Sequence, residues 1–122
     1  MAKVLIVEDD FILMQILANK FNSSNFETKT VEDGRAVLEA LESYSPDVML
    51  LDIIIPNKNG VDVLKEIRKN EKYTNLPVLV LSNLDDDKIK SDCMSLNVAG
   101  YYVKSDTSLD VIVAKAKEIV GS

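Results

Sequence analysis

Three short segments of this chain are apolar at nearly every position: residues 3–7, 48–51 and 78–81. A strand with no polar face must be covered on both sides, so these runs read as central strands of a sheet buried between two layers. Taken with their flanks, the strand candidates are Lys3 to Glu8, Phe26 to Val31, Val48 to Asp52, Val78 to Ser82 and Gly100 to Lys104. Phe26 to Val31 (FETKTV) is polar enough for an edge. Between the strands lie helical patterns near 10–22, 34–43, 60–70 and 85–96, with a last one over about 108–120. Five strand–helix units in a row predict an α/β fold with a parallel sheet and helices on both faces. Turn chemistry agrees: Asp33-Gly34 opens the second helix, Pro46 and Pro77 precede strands, and Asn25 and Asn97 follow helices where a left-handed residue is expected.

The polar residues that end the apolar runs carry the functional signal. In a parallel sheet the carboxyl ends of the strands share one edge, so Glu8 and Asp9 after the first run can meet Asp52 after the third. Three carboxylates in one pocket repel one another, and the arrangement calls for a cation. All-oxygen ligation points to a hard divalent ion, Mg2+ first among them.

Composition excludes several classes. At 122 residues the chain fits one domain able to bury its own core, with 47% hydrophobic and 28% charged residues, as in ordinary globular proteins. A net charge of −6 disfavours nucleic-acid partners. The single cysteine, Cys93, forms no internal disulfide, and with no long apolar stretch this argues for a reduced, cytoplasmic setting away from membranes. No histidine is present, which removes histidine catalysis, histidine metal ligands and any phosphohistidine carried by this chain.

A carboxylate is a competent nucleophile toward phosphorus, and attack by Asp52 would give an aspartyl phosphate. Such a transfer needs positioning and charge neutralisation more than a base. Ser82 ends the fourth strand and Lys104 the fifth, offering a hydroxyl and an ammonium to phosphoryl oxygens at the same edge. Singly, each residue has a bland reading: a solvated strand terminus for Asp52, a helix N-terminus for residues 8–10, a surface lysine, a capping serine. Four of five strands delivering a polar group to one end is the coincidence that outweighs them.

These residues sit in segments that resemble the receiver domains of two-component response regulators. The likeness covers essentially all of 3–120: VLIVEDD at 4–10, PDVMLLDIIIP at 46–56, Gly60, LPVLVLS at 76–82 and AGYYVK at 99–104. The resemblance implies a doubly wound, flavodoxin-like five-stranded sheet of order 2-1-3-4-5 with five helices. It assigns Asp52 as phosphoacceptor. Asp9 and Asp52 would ligate Mg2+ directly, Glu8 would act mainly through metal-bound water, and the Ile54 carbonyl would be a further ligand. Lys104 would pair with the phosphoryl group, Ser82 would swing to hydrogen-bond it, and Tyr101 would rotate inward as Ser82 moves. Tyr102 should face the opposite way by strand alternation. The partners implied are a histidine kinase or a histidine phosphotransfer protein, and a downstream protein contacting the fourth helix, fifth strand and fifth helix.

Three positions depart from the family's pattern. Ser105 stands where proline usually follows the lysine in a cis bond, which for serine would cost about 2.5–4 kcal/mol. Asn83 replaces a small residue, and Ser82 replaces threonine but keeps the hydroxyl.

Surface patterning adds expectations. In the first helix Leu13, Ile16, Leu17 and Phe21 are expected to cover the sheet, leaving Phe11, Met14 and Ala18 as a second stripe for docking the phosphodonor. In the last helix Leu109, Ile112, Ala116 and Ile119 read as core. Val111 and Ala114 stay exposed, permitting a weak dimer or a target contact.

A phosphatase using a strand-end aspartate nucleophile would need a second acid at position 54, which is Ile54, and a flavodoxin-like FMN binder would not place acids at 8–10. The alternative kept is a receiver-fold interaction module that works without phosphorylation. Such modules usually lack one of the acids or the lysine, whereas Glu8, Asp9, Asp52 and Lys104 are all present. Residues 1–122 are expected to form a single receiver domain with no effector domain, unless the chain is one domain of a longer protein.

Overall fold

The computed structural model describes residues 1–121. Its strands are β1 (Ala2–Val7), β2 (Phe26–Val31), β3 (Val48–Leu51), β4 (Val78–Ser82) and β5 (Gly100–Val103). They pair in parallel in the order β2-β1-β3-β4-β5. The helices are α1 (Phe11–Ser23), α2 (Val37–Tyr44), α3 (Gly60–Lys69), α4 (Asp87–Ser95) and α5 (Leu109–Val120). No helix among the described residues is long and apolar enough to cross a membrane.

Alternate residues of each central strand feed two separate cores. Leu5, Val7, Met49, Leu51 and Val80 pack under α2, α3 and α4, through Val37, Leu41, Leu64, Ile67 and Cys93. Val4, Ile6, Val48, Leu50, Leu79 and Leu81 pack under α1 and α5, through Leu17, Phe21, Ile112 and Ala116. The continuous apolar runs of β1, β3 and β4 are therefore two interleaved faces, each burying its own layer. From β1 the chain moves to one side for β2 and then to the other for β3. The crevice between β1 and β3 is thus the switch point of the sheet, where ligands of such folds gather.

Helix starts follow from side-chain caps. Asp10 accepts from the N–H groups of Ile12 and Leu13, Asn59 from Asp62, Asp86 from Ile89 and Ser108 from Asp110. Each satisfies a donor that the first turn leaves free. Asn25 and Asn97 have positive φ, as expected after helices, and so do Ser45 and Asn57.

Two expectations need correcting. The second helical stretch does not begin at residue 34: Gly34–Ala36 form a 3-10 turn, and α2 starts at Val37. Gly34 donates its N–H to the Pro56 carbonyl, and a Cβ there would lie 2.0 Å from the Lys58 carbonyl oxygen. That contact holds the turn against the loop after β3 and delays the helix. The two stripes of α1 are also assigned differently: Met14 is buried with Leu17 and Phe21, whereas Ile16 is exposed and Leu13 and Ala18 are half-buried. Met14, Leu17 and Phe21 stand at i, i+3 and i+7 and so share one face of α1, which leaves Ile16 on the far side, and from that face Phe21 meets Phe26 of β2 edge to face with ring centroids 5.1 Å apart. On α5 Ile112 and Ala116 are buried, joined by Val113, while Leu109 and Ile119 pack from the margin and Val111 and Ala114 are exposed.

Candidate functional site

Strand register places the acids. Val7 of β1 pairs with Leu51 of β3, so the residues one step beyond, Glu8 and Asp52, emerge side by side. Main-chain bonds fix them there: Asp52 donates its N–H to the Val7 carbonyl and Glu8 donates to the Val31 carbonyl, each at 3.0 Å. Carboxylate oxygens of Glu8, Asp9 and Asp52 lie within 4.8 Å of one another. Glu8 and Asp52 are buried and Asp9 is exposed. Asp10, adjoining them, is committed elsewhere: its carboxylate caps α1, while its N–H donates to Glu8 Oε2.

Lys104 follows β5, two strands away from β3, and its long side chain crosses the gap. Nζ lies 2.6 Å from Glu8 Oε1 and 3.0 Å from Asp52 Oδ2. Burial alone would depress this ammonium, but hydrogen bonds to Glu8 and Asp52 outweigh it and hold its pKa above the ordinary range. For Glu8, burial dominates and pushes the carboxyl up from 4.5 to about 6, although Lys104 and the Asp10 N–H pull the other way. Three carboxylates facing one ammonium leave two negative charges uncompensated, the deficit a divalent cation would cancel.

The loop after Asp52 completes the pocket. The N–H of Ile54 donates to Asp52 Oδ1 at 3.2 Å, which orients the carboxylate. Glu8, Asp9, Asp10, Asp52, Ile54, Asn83 and Lys104 line a cavity of about 250 Å³. Gly60, at the start of α3, permits this loop to close. Its N–H donates to the Ile53 carbonyl at 2.7 Å, and a Cβ there would lie 2.5 Å from the Asp52 carbonyl oxygen.

Ser82 is fully buried, and its hydroxyl accepts the N–H of Leu84 at 3.2 Å instead of opening into the cavity. Tyr101 lies against the α2–α4 core, and its hydroxyl donates to the Leu84 carbonyl at 2.8 Å. Tyr102 packs on the opposite face, as alternation requires. Leu84 therefore joins Ser82 and Tyr101 through both of its main-chain groups, a connection that side-chain types alone did not signal. Asn83 is exposed at the cavity rim, and the Lys104–Ser105 bond is trans.

The family profile of the response regulator receiver domain matches residues 4–117. The chain belongs to that family. It is 31% identical over 117 residues to response regulator RR06 of Streptococcus pneumoniae serotype 2, covering 96% of this chain and 52% of that protein. It thus spans about half the length of that relative. Among solved structures, the receiver domain of Francisella response regulator 1452 superposes with a TM-score of 0.90 at 27% identity, covering 99% of this chain and 98% of that one. The Mn2+-bound form of response regulator Rcp1 superposes with a TM-score of 0.84 at 26% identity, covering 97% of this chain and 93% of that one.

Proposed function

We propose that this receiver domain accepts a phosphoryl group on Asp52 from a phosphohistidine carried by a histidine kinase or histidine phosphotransfer protein. The observation that carries the reading is the Glu8, Asp9 and Asp52 carboxylates gathered within 4.8 Å, with Lys104 bridging two of them. An Asp52 carboxylate oxygen would form the new bond to phosphorus as the donor's P–N bond breaks, the imidazole leaving with the electron pair. Asp52 is held for this by the Ile54 N–H. Lys104 would move from Glu8 toward the phosphoryl oxygens, where its charge is matched. The residues suit Mg2+, with Glu8, Asp9, Asp52 and the Ile54 carbonyl as ligands or water-mediated contacts. Bound there, the ion would neutralise charge on the transferring group, and the Mn2+-bound relative supports a divalent site.

Signalling would run through Leu84. Release of the Ser82 hydroxyl to the phosphoryl group would break its bond to the Leu84 N–H, while Tyr101 holds the Leu84 carbonyl. The segment leading into α4 would shift, altering the α4-β5-α5 surface for a downstream protein or a weak dimer. Phe11, Ile12 and Ile16 form the exposed apolar side of α1 beside the pocket, and they suit helices of the phosphodonor.

Intact mass after incubation with acetyl phosphate, with and without Mg2+, tests the reading. A Mg2+-dependent phosphoryl adduct on the wild type and none on Asp52→Asn is the expected result. Absence of any adduct, under conditions that label a control receiver, would return the chain to the phosphorylation-independent module.

A further inference from the structure

A second concavity opens beside the acidic pocket, and its walls are aliphatic. Ile54, Val61, Leu84 and Ile89 line a groove of about 410 Å³ between the start of α3 and the start of α4. Ile54 forms its lip and is 57% exposed, whereas its neighbours Ile53 and Ile55 are buried. The fold anchors this loop through those two buried residues and gains nothing from an isoleucine held in water between them.

The groove carries a one-sided charge. Asp62 lines it, and Asp85, Asp86 and Asp87 follow Leu84 directly, all four exposed. Lys90 pairs with Asp85 and Lys88 with Asp92, so both lysines are engaged, and among the described residues Asp62, Asp86 and Asp87 are the groove acids that no ion pair answers. An occupant must therefore bring positive charge to the margin and an apolar side chain to the centre. A second copy of this chain would bring a net charge of −6 to an acidic rim, and like charges set against each other oppose that association.

We propose that this groove docks a segment of a partner protein in which an aliphatic anchor is flanked by Lys or Arg. The anchor would fill the space between Val61 and Ile89, with Ile54 closing over it. Basic neighbours on the segment would meet Asp62, Asp86 and Asp87. Docking of this kind does not require phosphoryl chemistry at Asp52, so it stands or falls in the unphosphorylated protein.

The probe is a synthetic helical peptide with two leucines one turn apart and lysines on either side, titrated into isotope-labelled protein and followed by amide chemical shifts. Shifts centred on Ile54, Val61, Leu84 and Ile89 are expected. Binding should weaken about tenfold or more when glutamates replace the peptide's lysines and when the protein carries Asp62→Lys. Ile54→Ser, at an exposed position, should weaken it as well while leaving the spectrum folded. Shifts centred on α1 or β5, or equal affinity for both peptides, would overturn the proposal. So would no response at about 1 mM peptide, the weak end of specific recognition. Shifts of the groove residues on raising protein concentration alone would identify a second copy as the occupant and overturn it equally.

Discussion

Glu8 carries a tension between stability and binding. Its carboxyl is pushed up to about 6 mainly by burial, so ionising it at neutral pH costs the metal-free fold about 2 kcal/mol. Sign and window follow from that shift. Below the ordinary value of 4.5 the group is neutral in both folded and unfolded chains, and its stability contribution is fully present. The contribution is lost as pH rises through about 6. Glu8→Gln should therefore stabilise metal-free protein by about 1–2 kcal/mol at pH 7.5, with the gain fading toward pH 4.5, measured by urea unfolding at both values. The same substitution should weaken Mg2+ binding, since an amide supplies no charge. In the wild type, Mg2+ affinity should fall as pH drops below about 6 and protons compete for Glu8.

At the scale of elements, α4 is held at its far end by one side chain of α3. Arg68 donates to the carbonyls of Leu96, Tyr73 and Asn97, at 2.8, 2.7 and 3.1 Å. Those carbonyls close α4 and the turn before β4, so Arg68→Met should cost about 2 kcal/mol. Amide exchange around residues 94–99 should quicken while β1 stays protected. Nothing local announced this clamp, because an arginine in the last turn of a helix reads first as a favourable charge at the C-terminal dipole. What the residue pattern did disclose was whatever depended on period and strand ends: five strands, five helices and the meeting of Glu8, Asp9, Asp52 and Lys104. The position of Ser82 was legible, but its bond to Leu84 depends on the path of a loop. The exposed side of α1 was legible in the period: Met14 lies about 20° from Phe21 around the helix and Ile16 about 140° away, so burying Leu17 and Phe21 buries Met14 and turns Ile16 outward.

Across the whole molecule the sheet separates two layers, and under the proposed function the output surface draws on both. α1, whose exposed apolar side would receive the phosphodonor, shares a layer with α5, whereas α4 and the Leu84 segment belong to the other. α1 and the α4 part of the output surface would thus lie across a sheet whose central strands are buried on both faces, while α5 carries the rest of that surface on the side of α1. Motion in α4 can be followed without adding any label. Cys93, the chain's one cysteine, is the fully buried residue of α4 on its core-facing side, and burial pushes its thiol up. A thiol-reactive dye can attack it only when α4 lifts from the sheet, so the native labelling rate is a clock for that opening. Each 1.4 kcal/mol of opening free energy slows it about tenfold relative to the unfolded chain. If α4 loosens on phosphorylation, the clock will run faster with acetyl phosphate and Mg2+, and at its unmodified pace in Asp52→Asn.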